Sequence, residues 1–308
     1  MEEVKKGYLY ILIAGTLWAT LGLLGDILMK NGLTPEQVAF VRLFLGFVVL
    51  SVYCRAKNRG LLKISKKGIV YSVIIGIICQ GLFNLCYFNA IKSVGVSVAA
   101  VLLYTSPLFL ALFSKLVYKE NINLNKIVSL LVCFIGAIFA VTGGKLDISG
   151  LSTTGIIMGI LSAITYALMP IISKDALKEN NSITILIYGF LFGALFMLPF
   201  SKPMEMVLYL DNFKVVVAML VLGTVPAALA YIFYVEGIGK GVELSIAGVI
   251  ASIELVVSAF IGWTVIGEAF SIVKLLGVAL MVISSIIAIR SISTEKEITE
   301  EIVEPKMA

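Results

Sequence analysis

The chain has 308 residues, 60% of them hydrophobic and 14% charged, with a formal net charge of +5 and a mean hydropathy of +1.05. That balance lies far outside soluble globular usage and excludes soluble domains, so the bilayer is the expected solvent. There is no histidine, and the four cysteines (Cys54, Cys79, Cys86, Cys133) show no CxxC spacing. The four aspartates lie far apart in sequence, so histidine catalysis, a metal site, a disulfide framework and paired-aspartate chemistry all lack their residues.

A membrane-crossing helix needs about 20 mostly apolar residues. Ten such stretches follow in chain order, at about 8–28, 34–53, 69–91, 95–118, 125–142, 153–173, 182–200, 213–235, 241–265 and 271–291. Backbone polar groups cannot be left unpaired in lipid, so these runs are helices, and the short alternating segments of a membrane barrel are absent. The expected fold is an all-α polytopic membrane protein. The first run follows Lys5 and Lys6 as a signal peptide would, but it is long and lacks a small-residue cleavage pattern, which makes it a retained helix 1.

Charge placement gives the orientation. Arg55, Lys57, Arg59, Lys63, Lys66 and Lys67 crowd the connection between helices 2 and 3. With a cytoplasmic N-terminus, 17 of the 24 Lys and Arg fall on the cytoplasmic side and 6 outside, with Arg42 inside helix 2. The positive-inside rule then puts both termini in the cytoplasm, and the basic balance reports orientation instead of nucleic-acid binding.

An odd number of crossings inverts a repeated unit, so a five-helix repeat is expected near a shift of 148 residues. At that shift Gly7 matches Gly155, Trp18 matches Tyr166, and the pair Glu120 and Lys126 matches Glu268 and Lys274. At 147, Gly76 matches Gly223, Tyr87 matches Tyr234, Ile91 matches Ile238 and Ala100 matches Ala247. The Gly- and Ser-rich segment 143–152 divides the halves, which gives a first repeat over 5–144 and a second over 151–291. From 292 to 308 a Glu-rich stretch without an apolar face is expected to be a disordered cytoplasmic tail.

Ionisable groups inside spans cost about 2.5–3.5 kcal/mol each and mark functional candidates. Arg42 in helix 2 and Glu254 near the middle of helix 9 are the two. Glu254 reads either as a carboxylate that accepts a proton or a cation, or as structural glue paired with Arg42. Glu236 and Glu243, beside the helix 8–9 connection, read as solvated or gate-like, and Asp26 as peripheral. Pro107, Pro170 and Pro226 interrupt the hydrogen-bond ladder of helices 4, 6 and 8, where transporter sites tend to lie. Gln80, Asn84 and Tyr87 share one face of helix 3, either bonding across helices or lining a polar cavity. Tyr231 and Tyr234 hold the matching region of helix 8, and Trp18, Tyr104 and Tyr166 add aromatic walls from helices 1, 4 and 6. Aromatic faces with one carboxylate suit a cationic or zwitterionic ligand through cation–π contact.

Trp18 in AGTLWATLG, Arg42 in PEQVAFVRLFLG, the helix 4 pattern AAVLLYTSPLFLALFSKLVYKE with Pro107 and Glu120, and its second-half relative IASIELVVSAFIGWTVIGE ending in Glu268 form a recognisable set. Over residues 5–291 the sequence resembles the EamA branch of the drug/metabolite transporter superfamily. The resemblance implies two inverted EamA repeats around a central cavity lined by helices 1, 3, 4, 6, 8 and 9. It also implies alternating access and small metabolites such as amino acids and their derivatives as cargo. Where many relatives carry Glu-Pro in helix 9, this chain has Glu254 followed by Leu255.

A channel would show charge rings or a carbonyl filter, and an enzyme a catalytic motif. A non-transporting receptor or scaffold would leave the costly buried polar faces without use. The expectation is therefore a secondary transporter of the bacterial inner membrane, a monomer or homodimer with no cofactor. Its partners are a small-molecule substrate, the lipid bilayer and protons as a possible coupling ion. Trp18, Gln80, Asn84, Tyr104, Tyr166, Tyr231 and Glu254 are expected to shape the pocket.

Overall fold

Ten helices long and apolar enough to cross a membrane make up the computed structural model, which describes residues 2–94, 96–145, 152–267 and 270–303. They are α1 (Glu2–Lys30), α2 (Pro35–Ala56), α3 (Lys66–Ile91), α4 (Val98–Tyr118) and α5 (Leu124–Thr142) in the first half. The second half holds α6 (Thr153–Ala176), α7 (Ser182–Ser201), α8 (Phe213–Gly239), α9 (Leu244–Val265) and α10 (Ile272–Arg290). The architecture is all-helical, as the unbroken apolar runs dictate. Helix starts carry their own signals: Thr34 and Gln37 form a capping box at α2, and Ser65, Asn123, Ser152, Asn181 and Asn212 cap α3, α5, α6, α7 and α8. Gly143 and Gly144, both at positive φ, end α5, and residues 146–151 of the dividing segment lie outside the described residues. The last helix continues to Val303, past the apolar stretch and into the segment expected to be disordered. Residues 304–308 lie outside the described residues, as do Glu268 and Ala269.

The halves pack through a twofold pattern of contacts. α2 lies on α7 and α5 on α10, each a helix against its own repeat mate, while α1 on α8 is mirrored by α3 on α6. Small residues set these crossings, because without a hydrophobic drive in lipid, helices associate by close approach. Gly76 of α3 meets α7 so tightly that a Cβ there would lie 2.5 Å from the Gly189 carbonyl oxygen, and its repeat mate Gly223 of α8 would collide with the Leu45 side chain of α2. Outward faces carry exposed apolar side chains such as Leu116, Leu131 and Ile157, the surface that lipid requires.

Discontinuities also recur in register. α3 carries a π-helical stretch at Ile75–Leu82 and α8 one at Gly223–Leu229, starting 148 residues apart. α4 breaks at Tyr104 and Thr105, and α9 breaks at Ser252, again 148 residues after Tyr104. Pro107 and Pro226 account for two of these features by removing an N–H. The α9 break has no proline. Ser252 instead turns its hydroxyl to the Gly248 carbonyl (3.1 Å), the back-bonding that bends helices. Pro170 lies inside α6, whose helix runs on through it from Thr153 to Ala176 although the proline N gives the ladder no hydrogen bond.

The connections α2–α3, α4–α5, α6–α7 and α8–α9 gather at one end of the bundle together with the N-terminus. There Lys67 pairs with Glu179 (2.7 Å), Ser65 with Asn180 and Lys240 with Glu3 (2.6 Å). The hydrogen bond to Glu3 raises the Lys240 ammonium pKa. At the opposite end Tyr209 donates to the Gly32 carbonyl (2.9 Å). This division is what ten crossings demand.

Candidate functional site

A small cavity lies where the broken helices meet. α4 contributes Tyr104, Ser106, Pro107 and Leu110, and α6 contributes Tyr166, Ala167 and Pro170. α8 adds Tyr234, and α9 adds Gly248, Ala251, Ser252 and Glu254. Three tyrosines, two serines and one carboxylate therefore line a common space. Glu254 opens the second half of α9, in its first turn, where the exposed N–H groups favour negative charge. No hydrogen bond or ion pair to its carboxylate exists among the described residues, and no ion pair within 4.0 Å joins it to Arg42. The carboxylate is thus free to meet a ligand or a proton. Gly248, whose added Cβ would stand 3.0 Å from Leu110, keeps α9 close to α4 beneath the cavity.

Tyr104, Tyr166 and Glu254 thus come together in the cavity. Trp18, Gln80, Asn84 and Tyr231 form a buried layer beside it. Gln80 Oε1 accepts from Arg42 Nη2 (3.2 Å) and from the Tyr231 hydroxyl (3.3 Å), and Gln80 Nε2 points at Met169 Sδ (3.7 Å). One side chain ties α2, α3, α6 and α8 together. Asn84 donates to the Gln80 carbonyl within its own helix (2.5 Å), at the π-helical stretch whose ladder is irregular. Trp18 sits edge-on to Tyr231 (5.1 Å between ring centres) and tilted on Tyr234 (4.9 Å), so it joins the buried layer to the cavity wall. Phe83 stacks on Tyr87 and touches Tyr166 (5.5 Å), extending the aromatic wall along α3. Tyr234, read from the sequence with Tyr231 as the helix 8 match of the polar helix 3 face, joins the lining, and Ser106 and Ser252 enter it unforeseen by sequence reasoning.

At the end of the bundle with the N-terminus, a charged network joins α4 to α9. Glu120, its side chain 10% exposed, accepts hydrogen bonds from Leu244 N (3.1 Å), Ser245 N (3.4 Å) and Ser245 Oγ (3.2 Å), capping α9. Lys174 of α6 approaches the same carboxylate at 3.5 Å and lies over the Tyr118 ring. Lys126, 2% exposed, meets Glu243 at 2.5 Å and donates to the Asn121 carbonyl. Glu243, half-buried, is therefore the partner of a buried lysine, while Glu236 accepts from Ser182 (3.3 Å) and Asp26 pairs with Lys30 (2.7 Å) at the surface. No group of three or more His, Cys, Asp or Glu able to hold a metal occurs among the described residues.

Comparison with known proteins gives one consistent answer. The sequence profile of the EamA-like transporter family matches residues 5–142 and again 153–290. A protein of Archaeoglobus fulgidus named as an uncharacterized transporter is 26% identical over 93% of this chain and 97% of its own length. A Clostridium kluyveri protein of the same name is 24% identical over 92% and 93%. An uncharacterized inner membrane transporter of Salmonella typhimurium, YicL, is 23% identical over 94% and 96%. A crystal structure superposes with a TM-score of 0.76 at 19% identity, covering 92% of this chain and 96% of that one, a likeness of fold.

Proposed function

The chain belongs to the EamA-like transporter family, and within it we propose a secondary active transporter of a small metabolite, an amino acid, an amino-acid derivative or a small organic cation, working by alternating access. The observation that carries this reading is Glu254, an unpaired carboxylate in a cavity walled by Tyr104, Tyr166 and Tyr234. Tyrosine faces attract an ammonium group through their ring quadrupole, and the carboxylate supplies its counter-charge or takes up a coupling proton. The breaks in α4 and α9 place half-helix ends beside this cavity, the arrangement by which transporters bind cargo near mid-membrane. One half rocking on the other would break the Glu120 latch and open the cavity to the latched side. That side is the cytoplasm of a bacterial inner membrane, because the Lys- and Arg-rich connection between α2 and α3 lies there.

The test is a thermal-shift screen of the purified protein against amino acids, their esters, polyamines, quaternary ammonium compounds and nucleotides. A ligand at ten times its Kd stabilises by about 1.4 kcal/mol. Selective shifts with cationic or zwitterionic compounds support the reading, and shifts with anions alone count against it.

A further inference from the structure

The connection between α7 and α8 carries an apolar stripe that no membrane span accounts for. α7 ends at Ser201, and Lys202, at φ 42 in the left-handed region, turns the chain into a 3-10 helix over Pro203–Tyr209. The three-residue hydrogen bonding goes on past it, from Leu210 N to the Val207 carbonyl and from Asn212 N to the Tyr209 carbonyl (3.2 Å each). Positions three apart therefore share a face. One face, Met206, Tyr209 and Asn212, is held by the protein. Met206 is buried in the core, the Tyr209 hydroxyl donates to the Gly32 carbonyl (2.9 Å), and Asn212 donates to Asn31 (3.3 Å), both in the α1–α2 turn. A second face holds Met204, Val207, Leu210 and Phe213, which are 81%, 56%, 54% and 81% exposed. The third holds Glu205, Leu208 and Asp211, all exposed, and the exposed Lys202 and Lys214 stand at the two ends.

Four large apolar side chains in one line would stand in water if this connection projected from the membrane, and a contiguous apolar patch rimmed by charges marks a contact surface. The stripe also continues along one face of α8. Val217 and Leu220, four and seven residues on from Phe213, are exposed on the surface that lipid covers. We propose that residues 203–213 form an interfacial anchor lying in the plane of the bilayer surface at the end opposite the N-terminus. Met204, Val207, Leu210 and Phe213 enter the acyl-chain boundary, and Glu205 and Asp211 stay among the headgroups. Amphipathic segments of this kind sink their apolar face about 5–10 Å. The occupant of the stripe is lipid and not a second protein, because the stripe is continuous with the lipid-facing surface of α8. Through Tyr209 and Asn212 the anchor sets the depth of the α1–α2 turn together with the ends of α7 and α8. This contact is independent of what the cavity carries.

The experiment places a nitroxide on single cysteines of the purified full chain in phosphatidylcholine–phosphatidylglycerol liposomes. Val207→Cys and Leu210→Cys report the stripe, and Glu205→Cys and Asp211→Cys the face beside it. All four side chains are exposed, so the fold does not depend on them, and the native Cys54, Cys79, Cys86 and Cys133 are buried and stay unlabelled. Collision of the nitroxide with oxygen, which concentrates in lipid, is compared with collision with a water-soluble nickel chelate. The oxygen-to-nickel ratio is expected to be roughly tenfold higher at the Val207 and Leu210 positions than at Glu205 and Asp211, as an apolar face buried in the interface requires. Equal ratios at the four positions, with ready access for nickel, put the stripe in water and overturn the anchor. Little collision with either reagent at Val207 and Leu210 means that protein covers the stripe, a second copy of the chain in this preparation, and overturns it as well.

Discussion

Glu120→Gln isolates the charge that joins α4 to α9. The substitution keeps the shape of the side chain and one acceptor oxygen, which can still serve Leu244 N. It removes the negative charge that Leu244 N, Ser245 N and Ser245 Oγ share at 3.1–3.4 Å and that Lys174 approaches at 3.5 Å. Hydrogen bonds to a charged group contribute about 1.5–3 kcal/mol, and a carboxylate at a helix start adds about 0.3–1 kcal/mol. Because the amide retains part of the bonding, the net loss is taken as about 2 kcal/mol, equivalent to roughly 30-fold in an equilibrium between latched and unlatched states. The readout is Ser252→Cys, a cavity position, in a protein with Cys133→Ala, because the Cys133 thiol donates to Ser252 at 3.5 Å. Cys54, Cys79 and Cys86 are buried and give little background. A membrane-impermeant maleimide applied from the side of the N-terminus is expected to label the cavity cysteine about 30-fold faster when Glu120 is Gln. An unchanged labelling rate in a folded variant refutes the latch.

Glu254→Gln is expected to abolish the pH dependence of transport or the binding of cationic ligands; full transport with an unaltered pH profile retires the role of this carboxylate. Tyr104→Ala takes one aromatic wall from the cavity and is expected to weaken an ammonium ligand by about 0.5–2 kcal/mol, read by isothermal titration, with no change for an uncharged analogue. Gly76→Ala puts a methyl 2.5 Å from the Gly189 carbonyl oxygen and 2.8 Å from Gly193 N, backbone atoms that cannot swing aside. The overpacking costs about 1–3 kcal/mol, and a melting temperature equal to wild type in the same detergent would contradict the close α3–α7 crossing. Lys240→Gln removes an exposed pair with Glu3; with the Lys240 pKa raised, the lysine's share of that pair is full at neutral pH and is lost in alkali, and no change in melting is expected at neutral pH.

Sequence alone determined the ten helices, the repeat near 148 residues and the grouping of connections at two ends. Each follows from quantities read along the chain: hydropathy over a span, residues recurring at a fixed shift, the side on which a charge can stay in water. It also picked out Glu254, because a carboxylate in an apolar run is conspicuous without any neighbour. Tertiary structure alone decided which polar residues meet in the cavity. Gln80, Asn84 and Tyr231 look as suited to a pocket as Tyr104 and Tyr166, since helical spacing shows that residues share a face but not which helix that face meets. The same limit hid Ser106 and Ser252 among the lining, and hid the break in α9, where a serine hydroxyl does what proline does in α4. Glu120 was legible only as the end of a motif. Its task appears when folding carries the start of α9 to it, across 124 residues of chain, because hydrogen bonds between distant segments are fixed by how helices cross and not by the order in which they are written.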